Sequence, residues 1–165
     1  MRRYCLDTNV LVEAWNKYYS MSLCPEYWEI LDHLARCGVV FCTMEVKREI
    51  EKTDDKLAAW IRERPYFFRE VDEQVQENLR EILKKYGRLT DSARGRSIAD
   101  PWVIAHAMAE GTVVVTKESP TPEGAKRIKI PDVCTALGVE WMNDFEFLQE
   151  AGVTFTAKLG DLRTS

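Results

Sequence analysis

Residues 2–10 of the chain read RRYCLDTNV, and they place three polar side chains directly after a short apolar run. Tyr4, Cys5 and Leu6 have the composition of a buried strand, and Asp7 opens a polar turn before the chain becomes apolar again. Ligands of parallel sheets bind at the carboxyl ends of strands, where Asp7 would lie. We therefore predict a functional carboxylate at Asp7; the alternative is that Asp7 only caps the following helix.

Short apolar runs alternate with longer amphipathic segments along most of the chain. The runs predict strands at residues 4–6, 39–42 and 112–115, with weaker ones at 127–130 and 139–142. The longer segments predict helices over residues 25–37, 71–86 and 98–108, closed by Gly38, Gly87 and Gly111. Alternating strands and helices predict a three-layer α/β/α fold with a central parallel sheet of four or five strands.

Bulk composition is that of an ordinary globular domain. The chain has 165 residues, 45% of them hydrophobic, which suits a single core. No apolar run reaches the ~20 residues of a membrane span, and no signal-peptide core follows Arg3, so we expect a cytoplasmic protein without a membrane partner. A formal net charge of -4 disfavours general polyanion binding unless carboxylates hold cations that meet the phosphate.

Further carboxylates are predicted near the edge of the sheet where Asp7 lies. Glu118 follows the strand at 112–115, Asp100 begins the buried helix, and Glu45 and Glu49 lie one turn apart after the strand at 39–42. Taken singly, each has an ordinary interpretation as a capping, loop or solvated acid. Together they would repel one another unless cations neutralised them, which favours a site for Mg²⁺ or Mn²⁺.

Other catalytic chemistries lack the residues they need. The two histidines, His33 and His106, have no evident nucleophile to activate, and His106 lies six residues from Asp100. No glycine-rich phosphate-binding loop occurs, and the cysteines and histidines lack the spacing of a zinc site. The sequence thus disfavours histidine-assisted nucleophilic catalysis, a nucleotide-binding loop and zinc.

Four stretches of the sequence resemble the PIN-domain ribonucleases, most familiar as the toxins of toxin–antitoxin modules. They are YCLDTNVLVEA at residues 4–14, FCTMEVKREI at 41–50, SIADPWVIAHA at 97–107 and VVVTKE at 113–118. A fifth, KIPDVCTALGVEW at 129–141, resembles the last part of a longer branch of that family. The resemblance implies a single PIN-like domain over residues 1–150, followed by a C-terminal extension over 151–165 that is ordered in part.

The resemblance also implies a set of site residues and selects Glu49 over Glu45. The implied catalytic acids are Asp7, Glu49, Asp100 and Glu118, of which Asp7, Glu49 and Asp100 are the implied metal ligands. The implied supporting groups are Thr8, Asn9, Ser97 and Thr116. We expect Thr8 and Asn9 to orient Asp7 or the phosphate, and Thr116 to orient Asp100 or the attacking water. The family usually has Asp where Glu118 stands, and a small residue where Pro101 follows Asp100.

The function implied by the resemblance is metal-dependent hydrolysis of RNA. We predict an endoribonuclease that uses Mg²⁺ or Mn²⁺, acts as the toxin of a toxin–antitoxin system, binds an antitoxin protein and forms a homodimer. A local basic strip, KKYGRLTDSARGRS at residues 84–97, precedes Asp100. Within it, Arg94 and Arg96 are predicted to grip the RNA backbone; a solvated loop is the alternative.

Two rival functions remain open at this point. A haloacid-dehalogenase-type phosphatase also begins with a strand ending in Asp, but such enzymes carry a second Asp two positions on, where this chain has Asn9. A catalytically degenerate PIN-like fold would bind RNA or a protein without cutting. Trapped acyl-phosphate on Asp7 would favour the phosphatase, and absence of Mn²⁺ binding would favour the degenerate fold.

Overall fold

In the computed structural model, which describes residues 2–53, 55–87, 99–124 and 128–160, five parallel strands form one sheet. The strands are β1 (Tyr4–Leu6), β2 (Val40–Thr43), β3 (Phe68–Arg69), β4 (Val113–Val115) and β5 (Trp141–Met142). Their order across the sheet is β3-β2-β1-β4-β5, and every pairing is parallel. Strands β1, β2 and β4 are buried along their whole length, as expected for a sheet covered on both faces.

Helices flank the sheet, so the predicted three-layer α/β/α fold is confirmed. They are α1 (Thr8–Glu13), continued by a π-helical turn (Ala14–Tyr18), α2 (Pro25–Arg36), α3 (Met44–Glu51), α4 (Lys56–Arg62), α5 (Glu73–Tyr86), α6 (Asp100–Glu110), α7 (Ile130–Leu137) and α8 (Asp144–Glu150). Helix α6 is buried on most sides and packs against β1, β2 and β4. In the parts of the chain that the structure describes, no helix has the length and apolarity needed to cross a membrane.

The weak strand predicted at residues 127–130 is wrong over residues 128–130, since Ile130 is the first residue of α7; Arg127 lies outside the described residues. Pro131 suits the first turn of a helix because its missing N–H is not needed there. The Asp132 carboxylate accepts the backbone N–H of Lys129, which stabilises that start. Local capping therefore outweighs the apolar composition of this short run.

The order of strands reverses between β1 and β4, with β2 and β3 on one side and β4 and β5 on the other. In open α/β sheets, ligands bind at such a reversal, outside the carboxyl ends of the strands. The Asp7 backbone N–H donates to the Val115 carbonyl oxygen at 2.9 Å, so the ends of β1 and β4 are held together there. Asp7 and Thr116, which follow these strands, thus lie at the preferred ligand position of this fold.

Two glycines that end helices give a matched test of backbone conformation. Gly111 closes α6 with φ +61°, whereas Gly87 follows α5 with φ −54°, and a Cβ would meet nothing within 4 Å at either position. We expect Gly111→Ala to lower the free energy of unfolding by about 1–2 kcal/mol, because a side chain is strained at positive φ. Gly87→Ala has no such strain and should leave stability unchanged or slightly higher. Urea unfolding of both variants checks this; equal losses would contradict it.

Candidate active site

Asp7 is completely buried directly after β1. It occupies the N-cap position of α1, but its side chain makes no capping hydrogen bond, so the alternative of a simple helix cap is not supported. Its Oδ2 accepts a hydrogen bond from the Thr116 hydroxyl at 3.0 Å and a long contact from the Asn9 amide at 3.4 Å. Among the described residues, its Oδ1 has no hydrogen-bond partner.

The environment of Asp7 disfavours its charged form. The pKa of Asp7 is raised from its usual 3.8 to about 7, mainly by burial and in smaller part by the negative charges of Glu118 and Glu49. The Thr116 hydroxyl and the Thr8 backbone N–H act in the opposite direction. Asp7 is therefore a buried carboxyl group that is easily protonated, and its Oδ1 has no hydrogen-bond partner among the described residues. A bound cation would stabilise the charged carboxylate, so this position suits a cation.

Glu49 connects the starts of two helices at this edge of the sheet. Its Oε2 accepts the Thr8 hydroxyl at 2.7 Å, and its Oε1 accepts the Ala99 backbone N–H at 3.1 Å. Thr8 follows Asp7, and Ala99 precedes Asp100, which is 7% exposed. Glu49 therefore brings the chain around Asp7 and the chain around Asp100 into one neighbourhood.

Glu45, one turn earlier on α3, has different partners. Its Oε1 accepts a hydrogen bond from Arg48 Nη1 at 2.7 Å, and it lies against a cavity formed with α5 and α6. Glu49 bonds to the segments around Asp7 and Asp100, and the choice of Glu49 over Glu45 as a site residue stays a prediction.

Glu118 stabilises the start of α7 while lying close enough to influence Asp7. Its Oε2 accepts the backbone N–H of Ile130 at 2.9 Å, and its own backbone N–H donates to Thr116 Oγ1 at 3.2 Å. Its charge contributes to the raised pKa of Asp7. The extra methylene of Glu relative to Asp is thus used to reach the end of a neighbouring helix.

Sequence reasoning did not find the ion pair between Lys117 and Asp144. Lys117 Nζ lies 2.7 Å from Asp144 Oδ2, and the two side chains are 10% and 3% exposed. The ammonium also lies 4.3 Å from the ring centre of Tyr18 and 4.8 Å from that of Phe145. Asp144 follows β5 at the same edge of the sheet as Asp7, and that position was the signal that could have revealed it.

His106 is buried in α6 and belongs to the core. Within the described residues, neither of its ring nitrogens has a hydrogen-bond partner. Burial lowers the pKa of His106, so the ring is neutral at physiological pH.

Three predicted residues, Ser97, Arg94 and Arg96, lie outside the described residues, and their roles stay predictions.

The described side chains do not form a ready-made metal cage. Across residues 2–53, 55–87, 99–124 and 128–160, no group of three or more His, Cys, Asp or Glu side chains is arranged to hold a metal ion. The donor chemistry nevertheless fits a hard divalent cation at Asp7, because its buried Oδ1 has no partner in this part of the chain. Glu49 and Asp100 supply further carboxylates nearby.

Comparison with solved structures agrees with this architecture. A chain of VapBC2 from Rickettsia felis, crystallised bound to a DNA fragment from their promoter, matches with a TM-score of 0.52 and 17% identity over 85% of this chain and 97% of that one. A chain of VapBC-1 from nontypeable Haemophilus influenzae matches with a TM-score of 0.51 and 13% identity over 85% and 96%. At these identities the similarity shows the fold alone. The predicted PIN-like fold is confirmed.

The sequence itself places the chain in a family. Residues 4–155 match the model of the domain of unknown function DUF4411, and the chain belongs to that family. No curated protein matches the chain in sequence.

Proposed function

We propose that the protein is a cytoplasmic endoribonuclease that depends on Mg²⁺ or Mn²⁺ and serves as the toxin of a toxin–antitoxin system. One observation carries this proposal: Asp7 is fully buried at the reversal of strand order, with one carboxylate oxygen that lacks a partner among the described residues. A buried carboxylate oxygen without a donor or counter-charge is costly, and a bound cation removes that cost.

The proposed metal ligands are Asp7, Glu49 and Asp100. A divalent cation bound there would activate a water and neutralise charge on the phosphoryl oxygens. The high pKa of metal-free Asp7 means that protons compete with the cation near neutral pH. We expect apparent metal affinity to rise as the pH increases through 7, because Asp7 then loses its proton more readily.

Polar neighbours hold these carboxylates in place. The Thr116 hydroxyl fixes Oδ2 of Asp7, which leaves Oδ1 as the ligand atom. The Thr8 hydroxyl fixes Glu49 rather than Asp7, and Thr116 bonds to Asp7 rather than to Asp100, so the pairings differ from those expected from the resemblance. Among the described residues, the Asn9 side chain makes only the long contact to Asp7, which leaves its amide able to donate to a phosphate oxygen.

The proposed partners are RNA, an antitoxin protein and a second copy of the chain. The VapBC structures that share the fold support an antitoxin. Arg94 and Arg96 are proposed to contact the RNA backbone, since phosphate contacts are made mainly by arginine and lysine. Glu118 is proposed to act beside the site through its charge.

Cleavage of a fluorescently labelled single-stranded RNA tests the proposed activity. We expect wild-type protein to cut it with Mg²⁺ or Mn²⁺ and to stop when a chelator is added. Asp7→Asn should reduce the rate by at least about 100-fold, because it removes the central metal ligand while keeping the side-chain shape. Glu26→Gln, which changes an exposed acid on α2, is the matched control and should cut normally. Metal-independent cleavage, or full activity of Asp7→Asn, would overturn the proposal.

Thr116→Val tests the orienting role of the threonine hydroxyl. Without this donor to Oδ2, the pKa of Asp7 rises further and the carboxylate loses its fixed orientation. We expect Mn²⁺ affinity to fall about 10- to 100-fold, as for other groups that orient metal ligands. Thr116→Ser retains the hydroxyl and should bind nearly as the wild type does. Calorimetric titration measures both; equal losses in the two variants would rule out the orienting role.

A further inference from the structure

A cavity of about 450 Å³ lies between α3, α5 and α6. Its walls include Glu45, Arg48, Glu70, Arg80 and Trp102. The volume falls within the roughly 300–1,000 Å³ of small-molecule sites. Glu45 lies one turn before Glu49 on α3, and Trp102 lies two residues after Asp100 on α6, so the cavity shares these two helices with two of the proposed metal ligands.

Glu45 is an unsatisfied acceptor in the wall of this cavity. The residue is 7% exposed, and its Oε1 is held by Arg48 at 2.7 Å. Its Oε2 is buried and has no hydrogen-bond partner among the residues that the structure describes. Buried carboxylate oxygens are normally paired, and an exception calls for an explanation such as a missing ligand. A ligand with N–H donors would satisfy this acceptor.

The remaining walls suit a flat aromatic ligand attached to a phosphate. Trp102 is half-buried, lies two residues after Asp100 on α6, and offers an aromatic surface for stacking. Arg48 has a side chain that is 64% exposed, so its guanidinium can contact a phosphate while it pairs with Glu45. Unpaired RNA bases are recognised by this combination of stacking, edge-on hydrogen bonds and cationic contacts.

We propose that this cavity binds one unpaired guanine of the RNA substrate, beside the phosphate that is cut. The inference rests on the proposed ribonuclease function and adds base selectivity to it. Guanine carries two adjacent donors, N1–H and N2–H, on its Watson–Crick edge, and a carboxylate accepts from both. Adenine and cytosine place an acceptor next to their amino group, and uracil flanks its single N–H with carbonyls, so each presents an oxygen or nitrogen lone pair to Glu45.

Binding of the four nucleoside monophosphates to metal-free protein tests the cavity separately from catalysis. We expect guanosine monophosphate to bind at least about 10-fold more tightly than the other three in calorimetric titration. Glu45→Gln replaces one acceptor oxygen by an amide, so it should remove this preference while thermal melting shows that the protein stays folded. Trp102→Ala should weaken all four, because it removes the stacking surface. Glu26→Gln serves as the control and should behave as the wild type does.

The possible results distinguish failure of the guanine-binding proposal from failure of the proposed ribonuclease function. Equal affinity for the four nucleotides, or an unchanged preference in Glu45→Gln, overturns the inference. Binding of N-acetyl-arginine amide in place of any nucleotide also overturns it, since the cavity would then accept a cationic side chain of a protein. Cleavage of RNA without preference for guanine refutes the inference and leaves the ribonuclease standing. Selective guanine binding without any RNA cleavage supports the cavity and refutes the ribonuclease.

Discussion

The Asp7→Asn variant, freed of metal, is expected to be more stable than the wild type above pH 7. Asp7 has an ordinary pKa of 3.8 when unfolded and about 7 when folded, so the folded protein holds the proton more tightly. Below pH 4 the Asp7 carboxyl is protonated in both the folded and the unfolded protein. The free-energy cost of burying its charged form grows as the pH rises to about 7 and is constant above that pH. At about 1.4 kcal/mol per pKa unit, less the burial cost of the amide, we expect a gain of roughly 2–4 kcal/mol.

Urea unfolding of metal-free protein between pH 4 and pH 8 measures this effect. The wild type should lose stability relative to Asp7→Asn across that range, and the difference should vanish near pH 4. Added Mn²⁺ should reverse the order at pH 8, because it binds the wild-type carboxylate and stabilises the folded state. An Asp7→Asn variant that is less stable than the wild type at pH 8 without metal would show that Asp7 is satisfied by the protein alone.

Asp144→Asn is expected to cause the largest loss of stability. It removes the charge that lies 2.7 Å from Lys117 Nζ and leaves a lysine that is 10% exposed without its counter-ion. Breaking a buried ion pair at one partner typically costs about 3–5 kcal/mol. The pair joins the end of β4 to the start of α8, so this loss also loosens the edge of the sheet next to Glu118.

The double variant Lys117→Met with Asp144→Leu is the matched control for this prediction. Replacing both charges by apolar side chains removes the unpaired ion, so most of the stability should return. Chemical unfolding of the wild type, Lys117→Met, Asp144→Leu and the double variant completes the cycle, with Asp144→Asn measured beside them. If the double variant is as unstable as Asp144→Asn, the loss arises from packing or helix capping and not from an unpaired charge.

The sequence predicted the elements whose pattern is local and strong. Strands β1, β2 and β4 are short apolar runs between polar turns, and α5 carries one apolar face through a charged segment. Strand β3 has only two residues, Phe68 and Arg69, and exists because β2 pairs with it. Helix α8 begins with reciprocal capping hydrogen bonds between Asn143 and Glu146. No periodicity in that segment predicted these bonds.

The candidate site also has one part that the sequence predicted and another that it did not. The position of Asp7 after β1 follows from the apolar run and the rule for strand ends, without any knowledge of contacts. The partners of each polar group required the tertiary structure: Thr116 lies 109 residues from Asp7 in sequence, and Thr8 lies 41 residues from Glu49. Only the packing of β1 against β4, and of α1 against α3, brings these pairs together.

Calorimetric titration of Mn²⁺ into the wild type, Asp7→Asn and Glu26→Gln shows whether Oδ1 of Asp7, which is buried and has no hydrogen-bond partner among the described residues, is a cation ligand. We predict that the wild type and Glu26→Gln bind Mn²⁺ with the same affinity and that Asp7→Asn binds at least about 100-fold more weakly. No binding to the wild type, or equal binding to Asp7→Asn, would contradict the account.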